Sequence, residues 1–535
     1  MRATENQQLP DHCYLLHEAG FSDPLDEKRP NRLCISFSDV HFTDGSVGDQ
    51  SSEISVWHEV FQRIKNLCTT YRIEELTIIL AGDSIDIVRS AKWASKEVYP
   101  WERDHPEYTG VLRAIMNDII IRHAEPPRSG MPEGFFYLLK ALRANLAAHP
   151  VKVQTLVLLG NHDKDILIDV PTLTRFYQDC LNQPVTGLSD DYRQWIGRMY
   201  FGRADYFQDA SQTPPWLPFY WGDQGFRLFV THGQWRDKDN SRAQPDWQAG
   251  DGWNPGLWQK NGFAAFTEPC FGDSVAAGVL SGFIYRCKNQ LHTVSVEFPH
   301  LNPEIKRLNR ILDELDLYRP TYAAVARVIT EIRRLRQLQP PVDSIRTLVE
   351  NELLHSLHLW LSWDFVYQSA SPAARIFLRL SKAVISVLKF LDARIELGFI
   401  YGLMKIMTWL QTGIFNFGDG PSTKELLGFP AFLEQYRSSG FRLYCEGHTH
   451  IPLQSEIYFK TPSHPSDRKS YTYINLGTWR NQIVNTVNQK FRRRDSGRML
   501  CVLDLLPSPE EPDAGRYYGY FVEDILVWND RLDRL

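Results

Sequence analysis

The sequence predicts a layered α/β protein, a β-sandwich flanked by helices, whose core is interrupted by a large helical insertion. Three observations carry this expectation. Short continuous apolar runs alternate with stretches of helical period up to about His232, the pattern of a layered α/β domain. Each apolar run stops at a glycine, a carboxylate or a histidine. A long helical stretch then separates these runs from a second group that begins near Phe441. With 535 residues, 43% apolar and 23% charged, the chain has the composition of a folded globular protein and more length than one simple core holds. The expected organisation is a first core part over 1–233, a loop-rich and helical cap over 234–430, and a second core part over 431–535.

Residues 1–31 are polar, carry Pro10, Pro24 and Pro30, and read as an irregular lead-in. The first strand is Leu33 to Ser38, running into Asp39, Val40 and His41. A helix follows from about Ile54 to Cys68, with Val56, Val60, Ile64 and Leu67 on one face, and then a second strand, Leu76 to Ala81, closed by Gly82 and Asp83. After a polar, aromatic excursion through Trp93, Tyr99 and Trp101, a helix over about Gly134 to Ala148 leads to the strand TLVLLGNHD, Thr155 to Asp163. A fourth strand, Phe226 to Val230, ends in Thr231, His232 and Gly233.

From Gln234 to about Gly272 the chain is rich in Trp, Gly, Asp and Asn, a loop of functional length. From about Pro303 to Phe417 it reads as helical, with Pro320, Pro340, Pro341 and Pro372 at helix starts. Strands return at Phe441 to Cys445, Tyr471 to Leu476, Met499 to Leu505 and Tyr517 to Val522.

The strand ends collect Asp39 and His41, Asp83, Asn161 with His162 and Asp163, His232, and His448 with His450. Carboxylates and imidazoles without thiolates suit first-row divalent metals. Two such ions ~3.5–4 Å apart clamp a phosphate and acidify water, so phosphoester cleavage is the natural use. The net charge of −5 gives no global field for nucleic acid. Eight cysteines without a CxxC pair, and an N-terminus without a secretory signal, point to a reducing compartment: the cytoplasm, or the inner face of a membrane.

The ordered set D-x-H, G-D, G-N-H-D, H and G-H-x-H resembles the calcineurin-like metallophosphoesterase family over roughly 31–233 and 440–505. The resemblance implies that Asp39, His41 and His450 bind one metal, Asn161, His232 and His448 another, and that Asp83 bridges them. It implies two divalent ions, manganese first, with Fe, Zn, Ni, Co or Mg as alternatives. His162 would face the substrate phosphate and protonate the leaving oxygen, with Asp163 holding its ring. The stretch Tyr473 to Trp479 also resembles the strand after the family's last histidine pair. Asp86 reads either as a carboxylate supporting the site or as a solvated turn residue. Family protein phosphatases carry Arg-Gly after G-D-x-x-D; Ile87 and Val88 stand here, which argues against a protein phosphatase.

The expected substrate is a phosphorylated small molecule, a nucleotide or a lipid-linked phosphate chosen by the cap. The alternatives are a nuclease, using Arg333 to Arg336 and Phe491 to Arg494, and a non-catalytic scaffold on the same fold. The apolar run Leu397 to Phe417 has bilayer length. A single crossing would put His448 and His450 on the opposite side from Asp39 and Asp83. A second would have to use Ile376 to Leu391, with Arg379, Lys382 and Lys389 inside it, at ~2.5–3.5 kcal/mol per cation. A buried cap helix or a helix lying on a membrane through 373–417 remains.

Overall fold

Strand β1 (Arg32–Phe37) is buried along its whole length and has a neighbour on each side. It pairs in parallel with β2 (Glu75–Leu80), which pairs in parallel with β3 (Lys152–Val157). In the computed structural model, the described residues are 21–49, 52–130, 132–183, 217–234, 237, 239–241, 267–319, 342–370, 372–390, 440–461, 464–480, 482–485, 491–494, 496–507 and 515–526, with 324, 327, 328, 330, 331, 402 and 510.

The protein is a mixed α/β structure with two mixed five-stranded sheets. The other strands, in chain order, are β4 (Tyr220–Asp223), β5 (Leu228–Thr231), β6 (Tyr318–Arg319), β7 (Leu443–Glu446), β8 (Leu453–Thr461), β9 (His464–Asn475), β10 (Gln482–Asn485), β11 (Phe491–Arg494), β12 (Ser496–Leu505) and β13 (Tyr517–Leu526). One sheet has the order β13-β12-β1-β2-β3, the other β4-β5-β7-β9-β8. In the second, β5, β7 and β9 are parallel.

Alternation along the strands decides which layer each side chain joins. Cys34, Ile79, Leu156 and Val502 of the first sheet pack against Trp221, Leu228, Val230, Leu443 and Ile474 of the second, which makes the sandwich interior. Leu33, Ile35 and Phe37, with Ile78 and Leu80, point the other way. They meet helices α1 (Ile54–Thr70), α3 (Tyr108–His123) and α4 (Phe135–Ala147). Each buried aliphatic side chain contributes ~1.5–3 kcal/mol, so the two faces of β1 tie both layers to one strand.

The insertion has its own apolar cluster, built on α6 (Gly282–Glu297), α7 (Asn302–Asp313) and α8 (Val342–Trp360). It is joined to the core by a strand pair: β6 lies parallel to β10, Ile483 beside Tyr318 and Val484 beside Arg319. Helix α10 (Pro372–Phe390) begins at the proline that marks a start in the sequence, and α7 carries Pro303 in its first turn.

Several elements differ from the sequence reading. The aromatic excursion contains α2 (Ala91–Lys96) and α3. In α3 the apolar pairs Val111/Leu112, Ile115/Met116 and Ile119/Ile120 repeat every four residues, so a helical period was present. The helical insertion starts before Pro303, with Phe271–Asp273 leading through a π-helical stretch, Ser274–Ser281, into α6. Short α5 (Val170–Arg175) and strands β4, β6, β8 and β10 were not expected, while α9 (Asp364–Ser369) falls within the stretch read as helical. The basic segment Phe491 to Arg494 forms strand β11, paired with β10. Arg333 to Arg336, most of the Trp-rich loop, and Leu397 to Phe417 apart from Gly402 lie outside the described residues. No helix among the described residues is long and apolar enough to cross a membrane.

Candidate metal centre

The parallel strands β1, β2 and β3, with β5 and β7 of the facing sheet, all deliver their carboxyl ends to one edge of the sandwich. Backbone bonds continue past the strands: Asp39 N–H donates to Gly82 O (3.2 Å), His41 N–H to Asp83 O (2.9 Å) and Gly447 N–H to His232 O (3.0 Å). The loops are stitched together before any side chain is considered. The stretch after β9 backs them, since Thr478 Oγ1 donates to Asp39 O at 2.8 Å and Trp479 N–H at 3.2 Å.

Among the described residues, nine non-glycine positions have positive φ, and five are Asp39, His41, Asp83, His448 and His450. A left-handed backbone at such residues costs on the order of 1–3 kcal/mol. It persists here because it turns the side chains inward at the end of a strand. Three glycines make room. A Cβ at Gly160 would fall on Asp83 Oδ1, one at Gly447 on Asp39 Oδ2 and Ser38 Oγ, and one at Gly82 on the His232 ring. The glycines of G-D, G-N-H-D and G-H-x-H are thus set by close approach to candidate ligands.

Asp39, His41, Asp83 and His450 form a buried cluster able to hold a metal ion. Asp39 Oδ1 lies 3.1 Å from His450 Nε2 and 3.8 Å from His41 Nε2. The Nε2 atoms of His41 and His450 face each other at 3.1 Å. A second group meets on the other side of Asp83: His232 Nε2 is 3.3 Å from Asp83 Oδ2 and 3.3 Å from Asn161 Oδ1. His448 Nδ1 is 3.0 Å from the same Asn161 oxygen. Asp83 Oδ2 is also 3.7 Å from His41 Nε2, so one carboxylate oxygen belongs to both groups.

The bonds on the outer ring nitrogens test the fit to a metal. His41 Nδ1 meets Asp86 Oδ2 at 3.1 Å, and His232 Nδ1 meets Ala81 O at 2.9 Å. Each outer nitrogen that donates its proton leaves the inner Nε2 with a lone pair aimed at an oxygen. Two lone pairs in contact repel, so a cation or a proton must lie between them. Asp39 Oδ1, buried, accepts no hydrogen bond among the described residues. The donor set fits a hard or borderline divalent ion.

Electrostatics agree. Burial opposes charge on His232, yet Asp83 and Asp39 push it up to about 10. Burial would raise Asp39, but His232 and His450 hold it down to about 2. Burial holds His41 below its ordinary value, in the neutral form a metal takes. Without an ion, His232 carries the positive charge that the two carboxylates require.

The position of Asp163 corrects the expected role. Asp163 does not hold the His162 ring: its carboxylate accepts from Gly160 N–H at 2.7 Å and Ser84 N–H at 3.1 Å, which locks the G-N-H-D turn to the loop after β2. Asp86 takes the ring, with Oδ1 2.7 Å from His162 Nδ1 while its other oxygen holds His41. Asp86 is fully buried and so is not a solvated turn residue. His162 is the more open member, 20% exposed, and its N–H donates to Asp83 Oδ1 at 2.8 Å. Burial opposes its charge, but Asp86 and Asp83 raise its pKa above the ordinary histidine value.

Further side chains around the site carried no sequence signal. Lys164 Nζ, buried, donates to Asn161 O and to Asp273 Oδ1, both at 2.7 Å. Arg480 lies 3.8 Å from Asp86 Oδ2 and pairs with Asp316. Asp237 Oδ2 is 3.1 Å from His448 Nε2. Only the fold brings Asp273, Asp316 and Asp237 of the insertion to this edge.

Comparison with known family models, with curated proteins and with solved structures finds no match. The centre is therefore read from its own geometry.

Two outcomes follow from it. Gly447→Ala should fold yet bind Mn(II) at least tenfold more weakly, measured by isothermal titration, because its Cβ displaces Asp39. Since His232 is protonated below about pH 10 and a metal takes the neutral ring, uptake at pH 7.5 should release about one proton. Binding enthalpy should then vary with buffer ionisation, and affinity should rise about tenfold per pH unit between pH 6 and 9.

Proposed function

We propose that the chain is a dinuclear metal-dependent phosphoesterase of the calcineurin-like metallophosphoesterase type. The observation that carries the reading is Asp83 Oδ2, placed 3.7 Å from His41 Nε2 and 3.3 Å from His232 Nε2. One carboxylate oxygen between two donor groups is what two adjacent ions need. Asp39, His41 and His450 would hold one ion and Asn161, His232 and His448 the other, with Asp83 common to both. When bound, the pair supplies charge neutralisation at a phosphate and acidified water.

The chain's own groups do the rest. Against the opposing effect of burial, Asp86 and Asp83 raise the pKa of His162 and so favour its protonated form. Asp86 fixes Nδ1, so Nε2 is the nitrogen that meets a phosphate oxygen and passes a proton to the leaving group. Asp163 contributes by holding the turn that presents His162. The burial of His41, Asp39 and Asp83 excludes water from behind the ligands and strengthens their field. The insertion reaches this edge through Asp273 and Asp316, which supports a role for it in selecting the substrate: a phosphorylated small molecule, a nucleotide or a lipid-linked phosphate.

Protein loaded with Mn(II) should hydrolyse at least one of bis-nitrophenyl phosphate, nitrophenyl phosphate, a nucleotide or single-stranded DNA, and the preferred one identifies the ester class. His162→Ala should keep its metal and lose ~10²–10⁴-fold in turnover, while Asp83→Ala should lose metal as measured by elemental analysis. Full turnover in His162→Ala, or undiminished metal in Asp83→Ala, rejects the assignment.

A further inference from the structure

We propose that Asp237, carried by the insertion, is the positioning residue of His448 and thereby completes the second half of the metal centre; this rests on the dinuclear reading above. His448 uses its two ring nitrogens in opposite directions. Nδ1 lies 3.0 Å from Asn161 Oδ1, on the side shared with His232, and Nε2 lies 3.1 Å from Asp237 Oδ2. A proton on Nε2 donated to Asp237 leaves the Nδ1 lone pair for a metal. The same plan governs His41, whose outer nitrogen meets Asp86, and His232, whose outer nitrogen meets Ala81 O. An outer carboxylate of this kind fixes the tautomer and ring angle of a ligand and raises its basicity.

Asp237 is itself held. Its Oδ1 accepts from Asp239 N–H at 2.9 Å and its Oδ2 from Asn240 Nδ2 at 2.7 Å. Its backbone is bonded in both directions, Asp237 N–H to Gln234 O (2.9 Å) and Asn240 N–H to Asp237 O (3.0 Å). Gln234 is buried and donates to Leu159 O at 2.9 Å, which anchors the start of this turn to the end of β3. The His448 backbone has positive φ and is fixed by its own N–H, which donates to Asp39 Oδ2 at 2.9 Å, so Asp237 acts on the ring rather than on the loop. The turn after β5 therefore supplies the contact to the outer nitrogen of a ring whose backbone the turn after β7 already holds.

The test is Mn(II) binding to Asp237→Ala and Asp237→Asn in the full chain, by isothermal titration and by elemental analysis after dialysis. Wild type should take up two ions. In Asp237→Ala one should bind as in wild type and the other ~10–100-fold more weakly, with turnover restored by excess Mn(II). Asp237→Asn should fall between, because its amide oxygen still accepts from Nε2–H. Recovery of turnover at excess Mn(II) in both variants separates positioning from folding, since Asp237→Asn also gives up the oxygen that accepts from Asp239 N–H. Two ions bound to Asp237→Ala as tightly as to wild type overturns the role of Asp237 and leaves the dinuclear reading standing. A wild type that binds no Mn(II) overturns both.

Discussion

Asp83 carries a charge that the protein interior cannot solvate, and the surrounding structure answers it. Burial alone would raise its pKa, yet His232, His162 and His41 hold the carboxyl well below the ordinary range. Its Oδ1 takes the His162 N–H and its Oδ2 faces two imidazoles. An ionised carboxylate buried with so few hydrogen bonds is costly and is kept where positive charge arrives from several directions. Gly160 lacks a Cβ so that Asp83 can approach, and Asp83 itself takes a left-handed backbone to face inward.

The motifs thus acquire a steric explanation as well as a chemical one. In G-H-T-H, Gly447 exists for Asp39 and Ser38, residues more than four hundred positions away. In G-D, Gly82 leaves room for the ring of His232. Each glycine makes space for a candidate ligand of another strand, so the site is a mutual fit among five loops. A change in any one of them is felt by a partner on a different strand.

Much of this edge was legible in the sequence, because continuous apolar runs and the polar residues that end them are local features. The strands bearing Asp39, Asp83, His232 and His448 overlap the runs that marked them, while the one before Asn161 begins earlier, at Lys152, and ends at Val157, short of Leu158 and Leu159. The helical pattern of Ile54 to Cys68 was equally plain. What the sequence hid depends on long-range approach. Asp86 and Asp163 are both near candidate ligands along the chain, and only the path of the loops decides that Asp86 reaches the imidazoles while Asp163 binds backbone amides. Arg480, Asp316 and Asp237 belong to segments whose patterns describe local shape alone. Helix α3 had the right periodicity, but its aromatic approach masked it.

The pairing of β1 sets an order on assembly. Its neighbours are β2, made soon after it, and β12, which begins at Ser496; β5 likewise pairs with β4 and with β7 at Leu443. Until those later strands emerge, both sheets have an open edge beside a central strand, a surface prone to pairing with other chains. His448 and His450 arrive on the segment that closes one of those edges. The candidate ligands His448 and His450 therefore reach Asn161 and Asp39 no earlier than β7 pairs with β5, while the far side of β7 waits for β9 and that of β9 for β8.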